Sequence, residues 1–252
     1  MTIDVATIPP LTHGEAMQLL EAELERTIAA LRTLGAADWT TQTDCPDWNV
    51  QAMYQHVLGA CEAGASMREN VHQLLAARKH RSAHGGPLEA AISAVQVRER
   101  AAVGGPDLVA RLAALAPRTV RGRRRIPALI RRWASMKVDG PVHERWALGY
   151  LIDTIYLRDL WMHRIDTAYA VGRTAEVTST HDGRIIANVV AEWARRHGAP
   201  FTLELTGSAG GTYVHEPDAA GAEQLQLDAV EFCRTLAGRV PATGLLATVV
   251  PF

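Results

Sequence analysis

Lysine is nearly missing from this chain: of 26 basic residues only Lys79 and Lys137 are lysines, and the rest are arginines. Cysteine is scarce as well. Cys45, Cys61 and Cys233 are odd in number, widely spaced and never in a CxxC pair, which argues against a disulfide scaffold or a cysteine-built zinc module. No run approaches the ~18 uninterrupted apolar residues that a membrane span requires. The best stretch, Ala147 to Leu157, is interrupted by Asp153. The opening residues lack a basic patch followed by an apolar run, so no signal peptide is expected. Net charge is almost absent, 26 basic residues against 27 acidic. Apolar material, in contrast, is plentiful: at 48% of 252 residues it is enough for one large domain or two small ones and too much for a disordered chain. A soluble, cytoplasmic protein without a membrane partner is expected; nothing in the sequence sets its oligomeric state.

The even charge balance hides one local excess. Arg118, Arg121, Arg123, Arg124, Arg125, Arg131 and Arg132 fall within fifteen positions that contain no acidic residue. Such a cluster can neutralise nucleic-acid phosphates. It has no interleaved aromatic before Trp133, however, and no recognisable nucleic-acid module surrounds it. It reads as a solvated linker whose arginines pair with the acidic remainder, and no nucleic-acid partner is expected. Contact with an anionic substrate is a further reading, since the arginine fork matches a carboxylate.

The first two thirds of the chain read as long helices. Thr12 and Glu15 make a capping-box pattern, after which Leu19, Leu20, Leu24, Ile28, Leu31 and Leu34 recur at helical spacing up to Gly35. Asn49 reads as the N-cap of a second helix with Val50, Met53, Val57 and Ala60 on one stripe. Breaks are expected at Gly85-Gly86-Pro87, Gly104-Gly105-Pro106 and Gly140-Pro141, and a further helix from about Trp146 to Val171. Past Gly172 a helix ending at Gly198 precedes two alternating strands, at Phe201–Leu205 and Glu223–Leu227, and a short helix capped by Asp228. The pattern predicts a four-helix bundle followed by a small α+β domain.

The residues with chemistry sit on that last long helix. Leu148, Ile152, Ile155, Asp159, Met162, His163 and Asp166 step along one face, aliphatic above and ionisable below. Asp159 and His163, at i and i+4, point the same way and can share one cation. His56 borders the core face of the second helix. Two imidazoles and a carboxylate from two helices make a three-ligand metal site with an open fourth position. The same residues also read as an intrahelical pair and a hydrogen-bonded core histidine. Asp166 reads either as the group that orients His163 or as a solvent-facing residue at the helix end.

Three segments carry a resemblance. Cys45-Pro-Asp-Trp-Asn-Val-Gln-Ala-Met-Tyr-Gln-His56-Val-Leu-Gly resembles the first metal-ligand segment of the mycothiol-dependent maleylpyruvate isomerase family. Arg158-Asp159-Leu-Trp-Met-His163-Arg-Ile-Asp166 resembles its second, and Phe201 to Arg239 its carboxy-terminal part. The resemblance implies an α+β protein with a DinB-like bundle over residues 1–174 and a small α+β domain over 175–252. It implies a divalent metal, usually zinc, held by His56, Asp159 and His163. It also implies mycothiol as thiol cosubstrate and Arg239 as a catalytic residue that binds or polarises substrate. One departure stands out: the isomerase itself has glutamate where this chain has Asp159. The reaction expected is isomerisation or thiol transfer on a small electrophile through a metal-activated thiolate. The alternatives are a metal-dependent hydrolase and a nucleic-acid-binding or regulatory module.

Overall fold

The computed structural model describes residues 2–140 and 142–252, so Pro141 of the expected Gly140-Pro141 break lies outside the described residues. The chain divides into two compact units, Thr12–Thr174 and Met1–Leu11 with Ala175–Phe252.

The larger unit is helical. Its first helix, α1 (His13–Leu31), opens on the expected capping box: Thr12 Oγ1 accepts from the Glu15 N–H at 3.2 Å and the Glu15 carboxylate accepts from the Thr12 N–H. Leu20, Leu24, Ile28 and Leu31 are buried along it. Helix α2 (Val50–Ala65) is started by Asn49, whose side chain accepts from the Ala52 N–H at 2.9 Å. Next come the helices α3 (Met67–His84) and α4 (Leu88–Glu99), joined over a small apolar cluster of Ala77, Ala91 and Val95. Helix α5 (Gly105–Arg124) packs against both α1 and α2.

The arginine-rich segment is not a linker. Arg118 to Arg124 form the last turns of α5, and Arg131 and Arg132 lie on a short helix, α6 (Ala128–Trp133). Some of its arginines do meet acids: Arg124 reaches Glu21 at 3.4 Å and Arg131 reaches Asp153 at 2.8 Å.

An antiparallel hairpin, β2 (Ser135–Asp139) with β3 (His143–Ala147), replaces the expected start of the last long helix. Trp146 pairs with Met136 in a strand. The helix proper starts two residues after Trp146, as α7 (Leu148–Tyr150), a π turn (Leu151–Ile155) and α8 (Tyr156–Ala170). The dihedrals of Leu151 and Tyr156 are helical, so the run is continuous. A π turn inserts one residue and shifts the phase of the face that follows. Asp153, on that turn, is held by Arg131 and by His13 Nδ1 at 2.6 Å. No helix of the described residues is long and apolar enough to cross a membrane.

Where α2 and α5 cross, glycine faces glycine. A Cβ built on Gly122 would run into the carbonyl oxygen of Gly64, and one on Gly64 would meet Thr119 and Arg123. Glycine to alanine inside a helix ordinarily gains about 1 kcal/mol. Gly122→Ala is expected to reverse that sign and cost about 1–3 kcal/mol, because backbone must move to admit the methyl group. The urea midpoint of the purified variant measures it.

The smaller unit has a four-stranded sheet and two helices, making the chain α+β as expected. Strands β4 (Phe201–Thr206) and β5 (Gly211–His215) are antiparallel, with Leu203 opposite Tyr213. Strand β6 (Glu223–Asp228) runs parallel to β4, and the amino-terminal β1 (Thr2–Asp4) runs parallel to β5. The helices are α9 (Asp182–His197) and α10 (Ala229–Leu236); Asp228 caps the second, accepting from the Val230 and Glu231 N–H groups. Trp193 of α9 is fully buried between the rings of Phe201 and Phe232, and its Nε1–H donates to the Leu245 carbonyl at 2.9 Å.

Candidate metal centre

Two helices of the larger unit bring His56, Asp159 and His163 together. His56 lies on α2, and Asp159 and His163 lie one turn apart on α8, all on facing sides. His56 Nε2 is 3.5 Å from one Asp159 oxygen and His163 Nε2 is 3.2 Å from the other. One donor atom from each residue falls within 4.8 Å of the other two. The imidazoles are enclosed, His163 to 4% side-chain exposure, while Asp159 stays 27% exposed. The group is therefore closed behind the histidines and open at the carboxylate.

The approach of α2 to α8 is set by Tyr54. Its hydroxyl lies 3.0 Å from Thr167 Oγ1 and donates to the His163 carbonyl at 3.3 Å. Burial pushes the phenol up to about 12, so Tyr54 stays a neutral donor. The loop before α2 supplies a cover. Gln42 Nε2 donates to the carbonyls of Cys45 and Trp48, and Thr43 Oγ1 donates to Trp48 O at 2.7 Å. So held, the Trp48 indole stacks on the His56 ring with centroids 4.9 Å apart.

The electrostatics tie the three residues into one system. Burial opposes ionisation of Asp159, yet the facing His163 and His56 hold its carboxyl well below the usual carboxylate range. Burial likewise opposes charge on His163, but Asp159, with Asp166 and Cys45 behind, holds it well above an ordinary histidine. What the imidazoles lack is hydrogen bonding. His56 Nδ1 and both ring nitrogens of His163 are buried without an aligned partner among the described residues. Buried polar atoms are ordinarily satisfied. A carboxylate facing two imidazole nitrogens, the one on His163 unsatisfied, with nitrogen and hard oxygen donors in reach of one point, fits a divalent cation such as zinc.

Asp166 is fully buried, so the solvent-facing reading of it does not hold. Its Oδ2 lies 3.9 Å from His163 Nδ1, behind the ring, and 3.9 Å from Cys45 Sγ, which donates to it. Cys45 and Trp48 are the neighbours that sequence reasoning missed. Both lie in the short loop leading to the Asn49 cap, and no periodicity marks a loop residue such as Cys45 as facing one 121 positions away. Arg239 follows α10 in the smaller unit, where its Nη1 donates to the Ala237 carbonyl at 3.4 Å. Cys61 is buried in the core. A second cluster of possible ligands, Glu69, His72 and Glu99, is more exposed and already carries the Arg100 guanidinium on Glu69 at 2.8 Å.

Residues 20–168, more than half of the chain, match the profile of the mycothiol maleylpyruvate isomerase N-terminal domain. The chain belongs to the mycothiol maleylpyruvate isomerase family. The family is one of enzymes, and the matched span includes His56, Asp159, His163 and Asp166. Two solved structures share the fold at a TM-score of 0.56: a mycothiol-dependent maleylpyruvate isomerase, 14% identical, and a histidine-to-alanine mutant of such an isomerase, 13% identical. Each comparison covers 94% of this chain and 92% of the other. No curated protein sequence matches the chain.

Proposed function

We propose that this chain is a mycothiol-dependent isomerase or thiol transferase that acts on a small electrophile and holds a divalent metal, zinc by its donor set, on His56, Asp159 and His163. The observation that carries the reading is the convergence of one Asp159 oxygen and one nitrogen each of His56 and His163 within 4.8 Å of one another, with His163 Nε2 buried and unpartnered beside the carboxylate. Membership of the family supports mycothiol as the thiol.

When bound, such a cation supplies the positive charge that turns a thiol of pKa near 8.5 into a thiolate at neutral pH. The chain's own residues do the rest. His56 and His163 present nitrogen lone pairs, and Asp159 balances part of the charge. Asp166 stands 3.9 Å behind His163 Nδ1 and favours the ring orientation in which Nε2 faces the ligand side. Trp48 covers the His56 ring and excludes water from that flank, while the half-exposed Asp159 marks the side from which thiol and electrophile approach. Arg239 is the proposed group that binds or polarises the electrophile.

Metal analysis of the purified protein tests the reading. The wild type is expected to hold one equivalent of divalent metal and His56→Ala to lose most of it; an unchanged content in the variant removes His56 from the set. Turnover of an electrophile without any thiol would instead favour the hydrolytic reading. For Asp166→Asn the expectation is metal binding weaker by about 10–100-fold, the usual effect of losing the group behind a ligating histidine. Competition with a chelator reads that shift directly.

A further inference from the structure

Of the seven clustered arginines, Arg118, Arg121, Arg124, Arg125 and Arg132 are exposed and Arg131 is half-buried beside Asp153, whereas Arg123 is 4% exposed. Three other buried arginines have carboxylates: Arg164 has Glu23, Arg100 has Glu62 and Glu69, and Arg234 has Glu231. Arg123 pairs with no carboxylate among the described residues. Its Nη2 donates to the Ala60 carbonyl at 3.2 Å, its Nε is buried without a partner, and its guanidinium lies 3.9 Å over the centre of the Tyr156 ring. A guanidinium stays charged at every physiological pH. Burying that charge uncompensated costs several kcal/mol. A cation–π contact returns only about 2 kcal/mol of it.

The placement of Arg123 gives this deficit a meaning. Ala60 comes four residues after His56 on α2, and Tyr156 comes three residues before Asp159 on α8. Each is one helical turn from a candidate metal ligand and on the same face. The guanidinium therefore sits roughly one turn, about 5 Å, along the helices from the three ligands. Between Ile152 and Thr167, Tyr156 and Asp159 are the two residues that are not buried. The Tyr156 hydroxyl makes no hydrogen bond among the described residues. Burial, opposed by Arg123, keeps the phenol protonated and able to donate.

We infer that Arg123 and Tyr156 form a carboxylate subsite one helical turn from His56 and Asp159, which selects small anionic electrophiles over neutral ones. The inference rests on the reading of the site given above and names the class of substrate it takes. A carboxylate seated there cancels the uncompensated charge of Arg123 and accepts from the Tyr156 hydroxyl. A neutral analogue leaves both unsatisfied.

Isothermal titration of the full-length protein with succinate, and separately with its neutral dimethyl ester, tests this without any turnover. Succinate is expected to bind and the ester not to. Arg123→Gln is expected to weaken succinate binding by about tenfold or more, the loss of a charge-assisted contact, with metal content unchanged. Tyr156→Phe, which deletes one oxygen at a half-exposed position, is expected to weaken it severalfold and stands in if Arg123→Gln fails to fold. Succinate that does not bind, or binds both variants as it binds the wild type, overturns the subsite. Wild-type protein that binds succinate but holds no metal overturns the metal reading and leaves the subsite standing.

Discussion

Asp159→Ala is expected to abolish the proposed metal binding and to lower thiol-dependent turnover by about a thousandfold, the several kcal/mol that a bound cation contributes to such a reaction. The reason is electrostatic. In the metal-free protein the charge on Asp159 is held by two imidazoles, and His163 carries a proton with unusual tenacity because of it. Without the carboxylate, two neutral imidazoles alone must repay the desolvation of a dication, and nitrogen donors do not cancel its charge. Asp159→Glu provides the control. It keeps a hard oxygen donor one methylene further out, and glutamate is the residue that the resemblance places at this position, so it is expected to keep most of the metal. Elemental analysis of both proteins, with a thiol-consumption assay, separates the outcomes. An Asp159→Ala protein that keeps its metal would remove Asp159 from the ligand set.

The largest effect on stability is expected at a residue that touches no candidate ligand. Glu23 of α1 is fully buried, and its two oxygens accept from Arg164 Nε at 2.6 Å and Nη2 at 3.2 Å. Arg164 follows His163 in the chain, so this two-pronged pair fastens α8 to α1 beside the candidate metal centre. Removing one member of a buried pair costs about 3–5 kcal/mol, because the other charge stays desolvated. Glu23→Ala is expected to fall in that range in urea unfolding of metal-free protein. Glu23→Gln keeps an acceptor for the guanidinium and for Thr27 Oγ1, and is expected to cost less. A loss below about 1 kcal/mol in Glu23→Ala would mean that solvent reaches Arg164 and screens it.

Local signals in the chain were legible where the physics is local. The Thr12–Glu15 capping box, the Asn49 cap and the Asp228 cap each satisfy helix N–H groups within three residues, and each stands where the pattern puts it. The alternation of Phe201 to Leu205 and of Glu223 to Leu227 gives strands β4 and β6. Misreadings fell where a distant partner decides. Trp146 belongs to a strand because Met136 and its neighbours offer a hairpin mate, whereas its own surroundings read as helix. The segment from Arg118 looked solvated because charge normally is. Helical phase turns Arg123 inward under Gly64 and Tyr156 instead.

The same division runs through the candidate site. Spacing by itself established that Asp159 and His163 share a face, since i and i+4 residues in any helix do. It equally marked residues 201 to 236 as a mixed α and β region, because periods of two and of 3.6 can be read from short windows. Only the tertiary structure decided that His56 meets that face at 3.5 Å, that Trp48 stacks on it, and that Asp166 is enclosed behind His163. Those distances depend on how closely α2 and α8 approach, which Tyr54 sets through contacts with His163 and Thr167, more than a hundred positions away in the chain. A one-dimensional pattern carries direction around a helix axis; the separation between axes is decided only when side chains from both fill the same space.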